Sequence, residues 1–219
     1  ASRMPTSPHH SAPLDFGSVR VRLPLAMPGQ RIGLLGGSFN PAHEGHVRLS
    51  QFALKRLGLS RLWWLVSPGN PLKSHAELAK QAARIAAARR MAADRRIVVT
   101  GFEADLPTAY TAATLGFLQR RYPATRFVWL MGADSLASLD RWRHWRTILE
   151  TMPVAVIDRP GWRLRGLSSK AAARFADRFV PEDCAALLPG MPPPAWTFLT
   201  IPLSPHSSTI VRRAGRAKA

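Results

Sequence analysis

An α/β fold with one doubly wound parallel sheet is the class this sequence predicts, and three observations predict it. Apolar, β-rich runs alternate with stretches of helical spacing from residue 31 onward. The first run ends in a glycine pair that opens a polar turn, and open α/β sheets bind ligands at the carboxyl ends of their strands. The chain has 219 residues with 46% hydrophobic content, enough for one sizeable domain.

The elements follow in order. Strand-like runs cover residues 32–35, 62–67, 97–100, 127–131, 154–157 and 197–201. Helical spacing covers 45–57, 78–93, 112–122, 139–150 and 168–179, so each strand feeds a crossover. Three prolines at 192–194 read as a loop before the last strand. Residues 1–28 carry prolines, serines and scattered arginines and no apolar secretory h-region; they are read as a flexible N-terminal extension, with one domain over 29–219. No apolar run is long enough to cross a bilayer, so no membrane partner is expected. The single cysteine, Cys184, excludes an intrachain disulfide and a cysteine-based zinc site, and fits a cytoplasmic location.

The formal net charge is +18 and the sequence pI about 11.7. The arginines are spread along the chain rather than gathered in one stripe, so the charge suits polyanionic substrates without marking a nucleic-acid partner.

The chemistry concentrates in Gly36-Gly37-Ser38-Phe39-Asn40-Pro41-Ala42-His43-Glu44-Gly45-His46. Glycines let a backbone approach an anion closely. His43 and His46 are one helical turn apart, so both rings can face one ligand. A helix beginning near Gly45 directs its free N–H groups and positive dipole end at that ligand. Near the other end, Ser207, Ser208, Thr209 and Arg212 combine an N-cap, hydroxyls and a guanidinium suited to phosphate oxygens. Lone histidines usually pack or cap, and a capped C-terminal helix is the plain reading of Ser207–Arg212. The full glycine-rich context argues against the bland reading of the first, and the pairing of the two segments against that of the second.

These segments resemble the nucleotidylyltransferase superfamily, which carries Gly-[Ser/Thr]-Phe-[Asp/Asn]-Pro-x-His-x-Gly-His after its first strand and Ile-Ser-Ser-Thr-x-Ile-Arg near its end. Here Asn40 stands where many members have Asp, His206 replaces the leading Ile, and Val211 takes the apolar place. The resemblance extends to the nicotinate-nucleotide adenylyltransferase branch through Gly132-Ala-Asp134-Ser135, Tyr110-Thr111, Trp142 with Trp145, and Asp158-Arg-Pro-Gly161. It implies a Rossmann-like domain that joins ATP to nicotinate mononucleotide, giving deamido-NAD and pyrophosphate, with Mg²⁺ accompanying ATP and no protein-held metal.

By resemblance, His43 and His46 are catalytic donors. Gly36, Gly37, Ser38, Phe39, Lys73, Asp134, Ser207, Ser208, Thr209 and Arg212 line the ATP side. Lys73 lies in a Pro-x-x-x-Pro-[x]-Lys loop, with Leu72 where many members have His, and Asp134 is placed to accept from ribose hydroxyls. Asn40, Tyr110, Thr111 and Trp142 line the acceptor side, where the Trp142 ring could stack on a pyridine; core packing is the expectation for Trp145. A sibling acting on phosphopantetheine or an alcohol phosphate would share the first motif. A basic nucleic-acid-binding protein on a degenerate nucleotide fold is the reading from another class.

Overall fold

The computed structural model describes residues 21–69, 79–107 and 110–201. Its strands are β1 (Arg31–Gly37), β2 (Arg61–Val66), β3 (Ile97–Thr100), β4 (Arg126–Gly132), β5 (Val154–Ile157), β6 (Phe179–Val180) and β7 (Trp196–Leu199). All pair in parallel, in the order β3-β2-β1-β4-β5-β7-β6. The chain winds from β1 outward through β2 to β3, then returns to the other side of β1 with β4. That reversal leaves a crevice between the carboxyl ends of β1 and β4. Register keeps the rim level, with Gly37 opposite Val66 and Gly132 opposite Ile157.

The helices are α1 (Glu44–Arg56), α2 (Gln81–Met91), α3 (Thr111–Arg121), α4 (Ala133–Ala137), α5 (Trp145–Thr151), α6 (Arg163–Leu167) and α7 (Lys170–Arg174). Adjacent strand residues point to opposite faces, so Trp63 and Trp64 fall into different apolar clusters. One cluster joins Leu34, Trp63 and Trp129 to α3, α5 and α7; the other joins Leu35, Trp64 and Leu130 to α1 and α2. A core on each face is what a doubly wound sheet requires.

Several elements depart from the sequence expectation. The helix expected over 139–150 splits into a 3₁₀ turn, Leu139–Arg141, and α5, because His144 between them is left-handed (φ 55°). The helix expected over 168–179 starts at Ser169, whose hydroxyl caps α7 by accepting from the Ala172 N–H at 3.2 Å, and ends already at Phe175. Its tail becomes a 3₁₀ turn and an additional short strand, β6. The segment before β1 touches the domain from Val21 onward: Val21 and Leu23 pack against the core, and the Tyr122 hydroxyl donates to the Pro24 carbonyl at 3.0 Å.

Candidate active site

His43 is the N-cap of α1, whose first residue, Glu44, comes one earlier than the start read from sequence; the His43 backbone is extended (φ −147°, ψ 170°). Its Nδ1 accepts from the Gly45 N–H at 3.1 Å, and His46 Nδ1 accepts from the His43 N–H at 3.2 Å. The imidazoles thus do what a Ser and a Glu do in an ordinary capping box. A nitrogen that accepts from N–H carries no proton, so each neutral ring holds its hydrogen on Nε2. The ring centroids are 3.9 Å apart, at the positive end of α1. Burial pushes the His46 pKa down to about 3, aided by the neighbouring His43 and by the Arg159 charge.

The His46 ring is supported from behind. Phe39 lies 4.8 Å from it and stacks on Trp64 at 5.0 Å, and the Trp64 Nε1–H donates to the buried Ser50 hydroxyl at 2.8 Å. Phe39 takes a positive φ of 45° to turn its ring inward, where it is 1% exposed. Of the phosphate-side residues named from sequence, Phe39 therefore offers a ligand its backbone alone. Asn40 is buried beside it. Gly36 answers a packing demand as well: a Cβ there would collide with the Trp129 ring from β4, and one on Gly37 would meet Phe39 Cε2 at 3.3 Å.

Across the crevice, Asp134 sits in the first turn of α4, just after β4. Its Oδ2 accepts from Arg159 Nη1 at 3.2 Å, while Oδ1 is buried with no partner among the described residues. Arg159 follows β5, and its backbone N–H donates to Asp158 Oδ1 at 2.8 Å. Asp158, itself buried, is held from its other oxygen by Arg163 at 3.2 Å. Gly132 leaves room for this pair, since a Cβ there would strike the Asp134 carboxylate and come within 2.8 Å of Arg159 Nε. Adjacent strands β1, β4 and β5 thereby bring His43, His46, Asp134 and Arg159 to one rim.

Tyr110 and Thr111 stand at the start of α3, with Tyr110 as N-cap. Arg143 lies over the Tyr110 ring at 4.7 Å and donates to its hydroxyl at 3.2 Å. Trp142 is half-buried at the end of the turn Leu139–Arg141, next to Arg143. Trp145 is core, edge-on to Phe175 at 6.2 Å. Lys73, Ser207, Ser208, Thr209 and Arg212 lie outside the described residues.

Arg159 received no role from the sequence, although its Asp-Arg-Pro-Gly segment stood out. Arg84 was missed as well: only 3% exposed, it donates to the carbonyls of Ser38, Ala79 and Pro68 at 2.6, 2.8 and 3.3 Å. Nothing local distinguishes it from the other arginines of a basic helix.

Residues 34–214 match the cytidylyltransferase-like family. A protein of Methylorubrum extorquens named "Probable nicotinate-nucleotide adenylyltransferase" is 57% identical over 182 residues, 83% of this chain and 98% of its own. One of the same name from Cereibacter sphaeroides is 54% identical over 185 residues, 84% of this chain and 97% of its own. The fold is similar to that of Plasmodium falciparum nicotinic acid mononucleotide adenylyltransferase complexed with NaAD, with a TM-score of 0.64 at 15% identity, covering 84% of this chain and 83% of that one. With this level of identity spanning nearly the full length of those relatives, the chain belongs to the nicotinate-nucleotide adenylyltransferase family.

Proposed function

We propose that this protein transfers the adenylyl group of ATP to nicotinate mononucleotide, releasing pyrophosphate and forming deamido-NAD, a step of NAD biosynthesis. The observation that carries the reading is the pair of imidazoles that cap the first turn of α1, beside the β1/β4 crevice. A phosphate oxygen of the mononucleotide attacks the α-phosphorus of ATP in line. The new P–O bond forms as the bond to the bridging oxygen of the β-phosphate breaks, and pyrophosphate departs with that electron pair. Such a transfer needs positioning and charge stabilisation rather than a covalent nucleophile.

The protein groups divide that work. His43 and His46 donate to the phosphoryl oxygens as their charge grows. Arg159 adds a cation at the same rim, and Asp134 Oδ1, without a partner among the described residues, is an acceptor suited to ribose hydroxyls. Lys73, the Ser207–Thr209 hydroxyls and Arg212 supply the remaining phosphate contacts. Tyr110, Thr111, Asn40 and Trp142 form the acceptor side. Among the described residues no three His, Cys, Asp or Glu side chains gather to hold a metal. Mg²⁺ would arrive as MgATP, coordinated by phosphates and water. No helix among the described residues is long and apolar enough to cross a membrane. The single cysteine fits an enzyme of the reducing cytoplasm.

Pyrophosphate release with MgATP and a panel of acceptors tests the reading, with the product identified by mass spectrometry. Release with nicotinate mononucleotide and a deamido-NAD product is the expected result. Release only with phosphopantetheine or an alcohol phosphate would move the protein to a sibling activity, and release with none would refute group transfer.

A further inference from the structure

Arg84 is a buried cation with no carboxylate partner among the described residues, and burial lowers its pKa. Its guanidinium instead reaches three backbone carbonyls in three segments. These are Ser38 in the turn after β1, Pro68 after β2, and Ala79 before α2. Gln81 lies one turn earlier on the same helix face. Its side-chain amide donates to the carbonyls of Val66 at 2.8 Å and Gly101 at 3.3 Å, at the ends of β2 and β3. The start of α2 is thus a latch over the carboxyl rim of β1, β2 and β3. Isolated buried charge is costly, and three carbonyls offset that cost without neutralising it. Positive charge consequently remains beneath the glycine-rich turn.

The shortest of these bonds, 2.6 Å, falls on Ser38. The Ser38–Phe39 peptide is trans, so the Phe39 N–H points away from the carbonyl that Arg84 grips. A charged donor on that carbonyl polarises the peptide and strengthens the opposite N–H. We propose that Arg84 is a positioning residue for ATP, fixing the glycine-rich turn from below and making it anion-selective without touching the nucleotide. The inference deepens the adenylyl-transfer reading and rests on it, since it assigns the triphosphate to this turn.

Arg84→Ala and Arg84→Lys test it by steady-state kinetics with each substrate varied, and by titration calorimetry of MgATP without acceptor. The expected result for Arg84→Ala is a KM for ATP raised roughly tenfold or more, with the KM for nicotinate mononucleotide changed far less. Millimolar guanidinium ion should restore part of the ATP affinity, and methylammonium should not. Arg84→Lys keeps the charge but not the fork, and should fall between the two. If Arg84→Ala does not fold, Arg84→Lys carries the same comparison. Unchanged ATP affinity, or equal shifts for both substrates without guanidinium rescue, would overturn the proposal. Wild-type protein that bound MgATP but turned over no nicotinate mononucleotide would instead refute the acceptor assignment, and calorimetry on the variants would still judge Arg84.

Discussion

His46 is useful because it stays neutral. With its pKa pushed down to about 3, and Nδ1 engaged by the His43 N–H, the ring offers one fixed Nε2–H donor at neutral pH. In ¹H–¹⁵N spectra of the free protein, the His46 ring should keep its Nε2–H form from about pH 8 down to about pH 5, where an ordinary histidine titrates. A midpoint near the usual value would contradict the buried, acceptor-engaged ring. Replacing His46 by Ala should lower kcat by ~100- to 1,000-fold, the usual loss for one transition-state donor. His43 caps α1 and, in the proposed mechanism, also donates to phosphate; two substitutions separate the two roles. His43→Ala removes both the donor and the cap, so it should lose turnover and about 1 kcal/mol of stability. His43→Asn restores a good cap and should recover melting temperature but not turnover; recovery of both would make His43 a cap alone.

Among the elements, the 3₁₀ turn Phe102–Asp105 that follows β3 carries an unusual group. Glu103 is buried and accepts from the Thr114 hydroxyl of α3 at 2.8 Å, and desolvation lifts its pKa to about 7. The folded state therefore holds this proton more tightly than the unfolded chain does. Its contribution is fully present below the unfolded pKa near 4.5 and is lost as pH rises through about 7. Thermal melts of wild type and Glu103→Gln across that window should diverge, wild type losing up to roughly 3 kcal/mol relative to the variant. Parallel curves would show a carboxylate that is solvated rather than buried. The elements also show where sequence periodicity stops being informative. β1 to β5 and β7 were legible because each is an apolar run between polar turns. α4 spans only five residues and β6 two, too few for any period to register. The break at His144 rests on one left-handed residue, which no local pattern announces.

Across the whole molecule, charge and topology act together. The chain carries a formal net charge of +18, and a positive field favours the acceptor with the extra carboxylate. A carboxylate also accepts at both oxygens, whereas a carboxamide sets its NH₂ against one of the donors, at ~1–3 kcal/mol. Catalytic efficiency should favour nicotinate over nicotinamide mononucleotide by at least ~10-fold, and the ratio should shrink with added salt as the field is screened. Equal efficiencies at low salt would remove the selectivity while leaving adenylyl transfer intact. The histidine pair and Asp134 were legible because a strand end, a turn and a helix start lie close together in the chain. Arg84 and Arg159 were not, because their value comes from strand order. Only with β1 flanked by β2 and β4, and β4 by β5, do they meet the histidines' turn. Among 31 Lys and Arg residues, their spacing carries no mark of that.

The two bonds that begin α1 are also the two that aim its imidazoles. Starting a helix is the costly part of forming one, because several dihedrals are fixed for the first bond gained. Here that ordering happens once, during folding, and the donor pair comes with it. A nucleotide entering the crevice meets rings whose rotamers have already been chosen, so none of its binding energy is diverted to freezing them. Loss of the cap would therefore slow the chemistry even where the rings remain, since each arriving substrate would have to organise them again.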